Sequence, residues 1–439
     1  MTNTKQLGFW MCLALVIGNM IGSGVFLLPA SLAPYGLNSV MGWVLTAIGS
    51  LLLASVFSVL SRAFPNEHGP YAYTRLAFGD LIGFIVAWGY WVAVWVGNAA
   101  VATASVSYLS NLMPWIATMP GASTAVTLGF VWLFTAINLR GARETGAVQI
   151  LTTALKLLPL LAVAGLGVFL FATSDTRLNT TALQQHTFTW DAVTASATLT
   201  LWAFLGLESA AVATEKVINP ERNIPLATLW GTLIAALVYV VSCTVVILLI
   251  PSEQLASSNA PFADAVSIFW GTGAGHWLAL FAAISGLGAL GGWILVQGEM
   301  PYQMAKAGVF PKAFAKTNTR GAPVVGLLVS GVLLSAVVLL NGGKSMVQIF
   351  TFLLLISTSA TLVMYLLCSL AALWLHAKGR LPLKGSVVVF VVISVMAAVY
   401  ALWALLGAGK EAILWGFLLL GCAVPVYYAM RWHHQKQNL

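Results

Sequence analysis

Long, continuous runs of apolar residues fill most of the chain, and short polar connections separate them. A membrane-spanning helix needs ~20 such residues at a rise of ~1.5 Å each. Membrane β-barrels instead show alternating strands of ~10 residues. The sequence therefore predicts an all-α membrane protein with twelve transmembrane helices. We place these spans at residues 8–33, 39–61, 80–112, 122–139, 146–172, 192–213, 225–250, 272–304, 323–341, 347–376, 385–407 and 411–430.

The composition supports a lipid environment. Of 439 residues, 60% are hydrophobic and only 7% are charged, against about 25% charged residues in a soluble domain. This excludes a soluble enzyme, a disordered chain and a nucleic-acid-binding protein. The spans contain no nucleophile–base pair and no cluster with metal-ligand spacing, so we expect no enzymatic activity, no cofactor and no bound metal.

The net charge of +8 is explained by topology. With the N-terminus inside, the loops on that side hold 16 of the 20 Lys and Arg residues and the opposite loops hold 3; the remaining one, Lys156, lies within a span. Cytoplasmic loops of membrane proteins carry an excess of Lys and Arg. We therefore predict a multi-pass protein of the inner (plasma) membrane with both termini in the cytoplasm.

Two of the predicted spans contain sequence that interrupts a helix. Gly22-Ser23-Gly24 lies in the first span, and Phe204-Leu205-Gly206-Leu207-Glu208-Ser209 lies in the sixth. Interrupted spans at corresponding positions of two halves indicate an inverted-repeat transporter with a site near the membrane midplane. We predict one domain with five-helix repeats at 8–172 and 192–376, followed by two additional helices at 385–430.

The interruptions are suited to binding an α-amino acid. Unwound backbone at membrane depth is tolerated beside a cavity or protein. Freed N–H groups and a helix N-terminus can hold a carboxylate, and freed carbonyls can hold an ammonium. The alternative is close helix packing through small residues.

Glu208 and Lys156 are charged residues within apolar spans, where such groups are costly. Glu208 could carry a proton or gate the site; alternatively, it accepts a structural hydrogen bond. Lys156 could contact freed carbonyls near the first interruption; alternatively, its side chain extends to an interface.

Trp293 and Asn98 are candidates for the distal end of a substrate. Small residues precede Trp293 and leave room beside its indole, whose face attracts cations. Asn98 places an amide in the middle of an apolar span. The alternatives are ordinary packing for the tryptophan and an interhelical hydrogen bond for the asparagine.

Five stretches of the sequence together resemble the amino acid–polyamine–organocation superfamily, and within it the basic amino acid/polyamine antiporter family with its arginine/agmatine exchangers. The stretches are GNMIGSGVFLLPASLA, GPYAYTRLAFG, YWVAVWVGNAA, TLWAFLGLESAAVA and GALGGWILV. The resemblance implies a LeuT-like fold of twelve helices with helices 1 and 6 broken.

The resemblance also implies roles for individual residues. Ser23 and Gly24 would hold the substrate's carboxylate and amino group, Trp202 would close over it, and Trp293 would stack on its distal head group. The implied substrate-binding residues are Ile21, Ser23, Gly24, Ala93, Val94, Asn98, Trp202, Leu205, Trp293 and Ser357. The implied gating or proton-linked residues are Tyr71, Tyr90, Lys156, Glu208 and Tyr365, with Tyr71 as the pH-sensing tyrosine.

The chain departs from the arginine/agmatine exchangers at several positions. Val94, Val101 and Ala289 replace their cysteine, methionine and serine, and Lys156 replaces a small apolar residue. A lysine in this context resembles L-type exchangers and proton-coupled permeases of the same superfamily.

We therefore expect a secondary active amino acid transporter that works by alternating access. The leading hypothesis is an antiporter that exchanges a cationic, arginine-like amino acid for a related amino acid or an amine such as agmatine. The alternative is a proton-coupled or facilitative permease for neutral amino acids, with Lys156 as the coupling group. The expected partners are a small-molecule substrate and the lipid bilayer, with a homodimer as a possible assembly.

Overall fold

A computed structural model describes residues 8–22, 24–64, 69–140, 143–173, 187–207, 217–383 and 385–437, with only the backbone described for residues 19, 143–156 and 433–437. Over these ranges the chain is helical and forms no β-strand. Seventeen α-helices are present in the described ranges. They are α1 (Phe9–Met20), α2 (Gly24–Leu32), α3 (Asn38–Ala63), α4 (Pro70–Phe78), α5 (Asp80–Leu112), α6 (Trp115–Thr118), α7 (Ala122–Leu139), α8 (Arg143–Thr173), α9 (Trp190–Leu201), α10 (Pro220–Leu249), α11 (Ser252–Ser257), α12 (Pro261–Lys306), α13 (Val324–Leu340), α14 (Met346–Ala377), α15 (Val387–Leu406), α16 (Lys410–Gly421) and α17 (Ala423–Gln437).

Eight helical segments of the described chain are long and apolar enough to cross a membrane. They are α3, α5, α7, α10, α12, α14, α15 and the segment Lys410–Trp432. Shorter apolar helices occur at Phe9–Gly18, Gly24–Tyr35, Leu157–Thr173 and Val324–Leu340. Helix α15 leaves Val388, Val392 and Val399 more than half exposed. Such an apolar outer surface is suited to contact with lipid.

In the first and sixth predicted spans, the helix ends close to the residues where the sequence predicts an interruption. Helix α1 ends at Met20, and Ile21 has the non-helical angles φ −76° and ψ 83°. Helix α2 then begins at Gly24. Helix α9 ends at Leu201 and passes through one 3-10 turn into extended backbone at Leu205 (φ −63°, ψ 135°).

Two groups of helices pack closely. Helix α5 packs mainly against α12 and α14, whereas α3 packs mainly against α9 and α10, and α1 packs against α10. Polar side chains connect elements within each group. Thr46 of α3 donates a hydrogen bond to the carbonyl of Ala197 in α9 (2.9 Å). Ser357 of α14 donates to the carbonyl of Ala93 in α5 (2.7 Å). The first bond joins α3 to the helix that ends at Leu201, and the second joins α14 to α5.

The structure differs from the sequence prediction in two places. The GPYAY stretch, which hydropathy places in a loop, forms α4, a nine-residue helix. Glycines with positive φ, Gly69 (78°) and Gly79 (87°), bound this helix, and Pro70 occupies its first position, where a missing N–H costs nothing. The segment Pro261–Lys306, labelled α12, is broken by a kink at Gly271, whose backbone angles (φ 80°, ψ 167°) are not helical. A short helical stretch that the hydropathy pattern does not predict lies before the kink, and the predicted span at 272–304 lies after it.

Candidate functional site

A cavity of about 70 Å³ lies where the two interrupted segments meet α5, α12 and α14. Its walls come from six separate elements. The lining residues are Met20, Gly22, Gly24, Val25, Tyr90, Ala93, Val94, Gly97, Asn98, Val101, Trp202, Ala203, Leu205, Gly206, Trp293, Ser357 and Thr361. Among these described residues, none carries a charged side chain. Polar recognition at this site therefore depends on backbone groups, hydroxyls, one amide and the indole rings.

Backbone groups reach the cavity because the helices are interrupted there. The first N–H groups of α2, which begins at Gly24, have no carbonyl of their own helix to bond. The N-terminus of a helix also carries a partial positive charge. On the other segment, Gly206 adopts φ 105°, which a side chain would oppose. The two interruptions thus bring main-chain donors and acceptors to the same cavity.

Trp202 closes one side of the cavity by close approach to two glycines. A Cβ atom at Gly24 would overlap the indole Nε1 of Trp202. A Cβ atom at Gly97 would lie 2.8 Å from Cη2 of the same ring and 3.2 Å from Oγ of Ser357. The indole therefore occupies space that is available because α2 and α5 have glycines at these two positions.

Aromatic packing holds the segment that carries Trp202. Phe204 is fully buried, and its ring centroid lies 6.2 Å from that of Trp43 and 5.6 Å from that of Tyr239. The Trp43 and Tyr239 rings are themselves 5.6 Å apart. This cluster packs the segment that carries Trp202 against α3 and α10, which restricts the position of Trp202.

An interhelical pair of amides lies at the α5–α12 contact, and one of the two amides lines the cavity. Asn98 of α5 donates from Nδ2 to Oε1 of Gln297 in α12 at 2.7 Å. Their exposed fractions are 1% and 0%. Gln297 follows Trp293 by one helical turn, so the partly buried indole and the amide pair lie on neighbouring turns of α12.

Most residues of the predicted substrate-binding set lie together. Eight of the ten line the cavity, namely Gly24, Ala93, Val94, Asn98, Trp202, Leu205, Trp293 and Ser357. Ile21 is 1% exposed and ends α1 beside the cavity without being one of its lining residues. Ser23 lies outside the described residues.

The predicted gating set is more widely dispersed. Tyr90 lines the cavity. Tyr365 is fully buried two turns beyond Ser357, with its ring 5.6 Å from that of Phe57. Glu208 lies outside the described residues, and of Lys156 only the backbone, in α8, is described.

Tyr71 lies in a different region, at the junction of α4 and α5. It lines a second cavity with Arg75, Asp80 and Arg380. Nε of Arg75 lies 2.6 Å from Oδ1 of Asp80 in a solvent-exposed ion pair. The hydrogen bond to Asp80, together with neighbouring Tyr71, raises the pKa of the Arg75 guanidinium. The arginine therefore stays charged at any physiological pH.

Two residues in or next to the first cavity, Gly97 and Gln297, are not predicted from the sequence as functional residues. Gly97 occurs in the YWVAVWVGNAA stretch, but its role appears only when α9 brings Trp202 against it. Gln297 is a polar residue directly after the apolar stretch Trp293–Val296 of α12. Its position within a predicted span is the signal that could have identified it, since a polar residue within a span usually faces protein or a cavity.

Apolar helices with lipid-suited outer surfaces, together with a cavity beside the ends of α1 and α9, define a multi-pass membrane protein with a candidate small-molecule site. Known sequences place it more closely. The sequence pattern of the family described as "Amino acid permease" matches residues 7–384.

Three relatives match along almost their entire length. The cadaverine/lysine antiporter of Escherichia coli K12 is 32% identical, over 100% of this chain and 98% of the relative. A putative arginine/ornithine antiporter of Bacillus subtilis 168 is 32% identical over the whole of both chains. The putrescine transporter PotE of E. coli K12 is 33% identical over 95% of this chain and 94% of the relative.

The chain therefore belongs to the amino acid permease family, within the basic amino acid/polyamine antiporters of the amino acid–polyamine–organocation superfamily. This confirms the resemblance noted in the sequence. The family consists of membrane transporters and not of enzymes, so the cavity is a candidate substrate site of a transporter.

Proposed function

We propose that this protein exchanges an amino acid with a terminal cation for a related amino acid or amine, by alternating access. The observation that carries the proposal is the cavity at the meeting point of two interrupted helices. The names of the relatives share one substrate chemistry, a linear carbon chain with cationic nitrogen at its end. Arginine and agmatine, expected from the sequence, belong to this class.

The proposed topology has twelve spans, a LeuT-like arrangement of two five-helix inverted repeats, and two further helices at 385–430. The interruptions in the first and sixth spans support it, because they occur at corresponding positions of the two repeats. The 16 to 3 distribution of Lys and Arg between the two sets of loops supports cytoplasmic termini in the inner membrane.

In this proposal the interrupted segments bind the part of the substrate that all α-amino acids share. The N-terminus of α2 at Gly24, with Ser23, receives the carboxylate, since helix N-termini favour anions. Carbonyls at the end of α1 and in the segment around Leu205 accept hydrogen bonds from the α-ammonium. An amine lacking the carboxylate would use only the second of these subsites.

The distal cationic group would then lie between α5, α12 and α14. The indole face of Trp293 attracts it, and the side-chain oxygen of Asn98 and the carbonyls of Ala93 and Val94 accept its hydrogen bonds. Ser357 positions the Ala93 carbonyl through its 2.7 Å hydrogen bond. The absence of charged side chains among the described lining residues supports recognition by stacking and by neutral oxygens.

Transport would require the cavity to open. Its volume of about 70 Å³ is well below the ~300–1,000 Å³ typical of ligand sites. Trp202 is the proposed gate, with Tyr90, Glu208 and Tyr365 as proton-linked or gating positions and Tyr71 as a pH-responsive position at the α4–α5 junction. For Lys156 we propose a coupling role, which Lys156→Ala tests: a change in the pH dependence of exchange supports it, and an unchanged profile in folded protein contradicts it.

The decisive experiment is exchange in proteoliposomes loaded with one unlabelled compound and supplied with labelled substrate outside. The panel contains arginine, lysine, ornithine, agmatine, cadaverine, putrescine and alanine. We expect saturable uptake of at least one cationic compound, with strong stimulation by an internal cationic partner and little by internal alanine. The control is the Gly129→Ala variant, whose added methyl meets no atom within 4 Å.

Two outcomes contradict the proposal. Uptake that persists at full rate without an internal counter-substrate would indicate a permease that couples to protons or works by facilitated diffusion. A preference for alanine over every cationic compound would assign the site to neutral amino acids.

A further inference from the structure

The amide pair formed by Asn98 and Gln297 has a geometry that bears on selectivity. Asn98 lines the cavity, and Gln297 lies behind it as its hydrogen-bond acceptor at 2.7 Å. Both side chains are at least 99% buried. The cavity residue is therefore held by a partner that a substrate need not touch.

The direction of this hydrogen bond decides what Asn98 presents to a substrate. A carboxamide has a donor end and an acceptor end. Because Gln297 engages the donor end, the oxygen of Asn98 is left to accept a hydrogen bond. An ammonium or guanidinium offers only donors, so this orientation fits a cationic head group, whereas the opposite orientation would set donor against donor.

Gln297 is itself held in place from the other side of α12. Its main-chain carbonyl accepts from Oγ of Ser330 in α13 at 3.3 Å. That hydroxyl in turn accepts from Nε1 of Trp91 in α5 at 2.9 Å. The chain of contacts returns to the helix that carries Asn98, so the acceptor of the amide pair is fixed relative to the cavity wall.

Gln297 also carries an unfavourable feature. Its Nε2 is buried and has no hydrogen-bond partner among the described residues. An unsatisfied buried donor destabilises a protein, and an apolar residue of similar size would avoid this cost. The cost is compensated if the oxygen of the same side chain holds Asn98 in the orientation that the substrate requires.

We propose that Gln297 is a positioning residue for selectivity, which orients Asn98 so that its oxygen faces the cationic head group of the substrate. The inference rests on the proposed function, because it assigns the determinant of that same site. A purely structural hydrogen bond between two helices is the competing explanation, and it predicts equal effects on all substrates.

The test measures competition by matched pairs of compounds in proteoliposomes. Norleucine has the carbon chain of lysine without the terminal ammonium, and citrulline is the neutral counterpart of arginine. For each pair the apparent affinity ratio of the charged to the neutral compound is measured in wild type, Gln297→Leu, Gln297→Glu, Asn98→Leu and the double leucine variant. Gln297→Met replaces Gln297→Leu if the latter does not elute as a single species.

We expect Gln297→Leu to lower the charged-to-neutral ratio about tenfold, the loss expected for one hydrogen bond to a charged group. Gln297→Glu retains an acceptor for Asn98 and should preserve or raise the ratio. In the Asn98→Leu background, Gln297→Leu should change the ratio less than twofold, because the two residues act as one unit. The matched control is Ser285→Ala in the same helix. It removes a buried hydroxyl that has no hydrogen-bond partner among the described residues and does not line the cavity.

A ratio that stays within twofold of wild type in Gln297→Leu overturns the proposal, as does an equal loss of affinity for both members of each pair. The wild-type ratios decide the proposed function separately. If wild type binds norleucine more tightly than lysine, the cationic substrate class is wrong, whereas the role of Gln297 still depends on how its substitution changes the ratio.

Discussion

The two sides of the cavity are built in different ways. The tryptophan side, formed by Trp202 against Gly24 and Gly97, is closed by shape, because two missing side chains admit an indole. The amide side, formed by Asn98 and Gln297, is held by a hydrogen bond of defined direction. Close packing around Trp202 leaves no room for an added atom but does not distinguish charged from neutral groups. The orientation of the Asn98 amide distinguishes hydrogen-bond donors from acceptors. We therefore expect substitutions on the first side to affect all substrates alike, and those on the second side to affect them selectively.

The largest effect is expected from Gly24→Ala. The new Cβ would overlap Nε1 of Trp202, and overpacking of this kind costs ~1–3 kcal/mol. Exchange of charged and neutral substrates should fall about ten- to a hundredfold together, measured as initial rates in proteoliposomes. Gly129→Ala, with open space around the added methyl, should stay near wild type. An effect confined to cationic substrates would show that the tryptophan side also distinguishes charged from neutral substrates.

Trp293→Ala should have the next largest effect, and on the amide side. A cation over an indole face contributes ~0.5–2 kcal/mol, so the affinity for lysine or arginine should fall up to about thirtyfold. Norleucine and citrulline should lose less, and competition assays measure both. Equal losses for charged and neutral compounds would reduce Trp293 to a packing residue.

Ser357→Ala should have a smaller effect. It removes the hydroxyl that bonds the Ala93 carbonyl at 2.7 Å, a contact of ~0.5–1.5 kcal/mol. We expect a two- to tenfold loss of affinity for cationic substrates, because the carbonyl is less well held. Ser357→Thr, which keeps the hydroxyl, should recover most of it; failure to do so would indicate that space around Gly97 matters more than the hydrogen bond.

The smallest effect is expected at the α4–α5 junction, which belongs to neither side. Arg75→Gln removes an exposed ion pair with Asp80, a contact of ~0–1 kcal/mol. The melting temperature and the charged-to-neutral ratio should both remain close to wild type. A changed ratio would connect this distant region to substrate selectivity.

The sequence predicts the helical character of the chain and the ends of α1 and α9 well, because these depend on local properties. Apolar length sets the spans, and the glycine-containing stretches around Gly24 and Gly206 mark where helices end. The pairing of Asn98 with Gln297, and the space at Gly97, depend on how α5, α9 and α12 pack, and no local pattern encodes such contacts. The helix at Pro70–Phe78 is hidden for another reason: it is too short and too polar for a hydropathy signal, and its boundaries depend on two glycines.

Tyr108 of α5 constrains where the first span can bend. Its hydroxyl donates to the carbonyl of Phe26 at 2.8 Å and accepts from the N–H of Phe262 at 3.2 Å. A single phenol thus fastens α2 and the beginning of α12 to α5. If α1 swings with its partner α10 while α2 stays fastened, the pivot is the short stretch between Met20 and Gly24. The substrate would then contact the pivot itself, so that its binding and release would directly change the conformational equilibrium of the hinge.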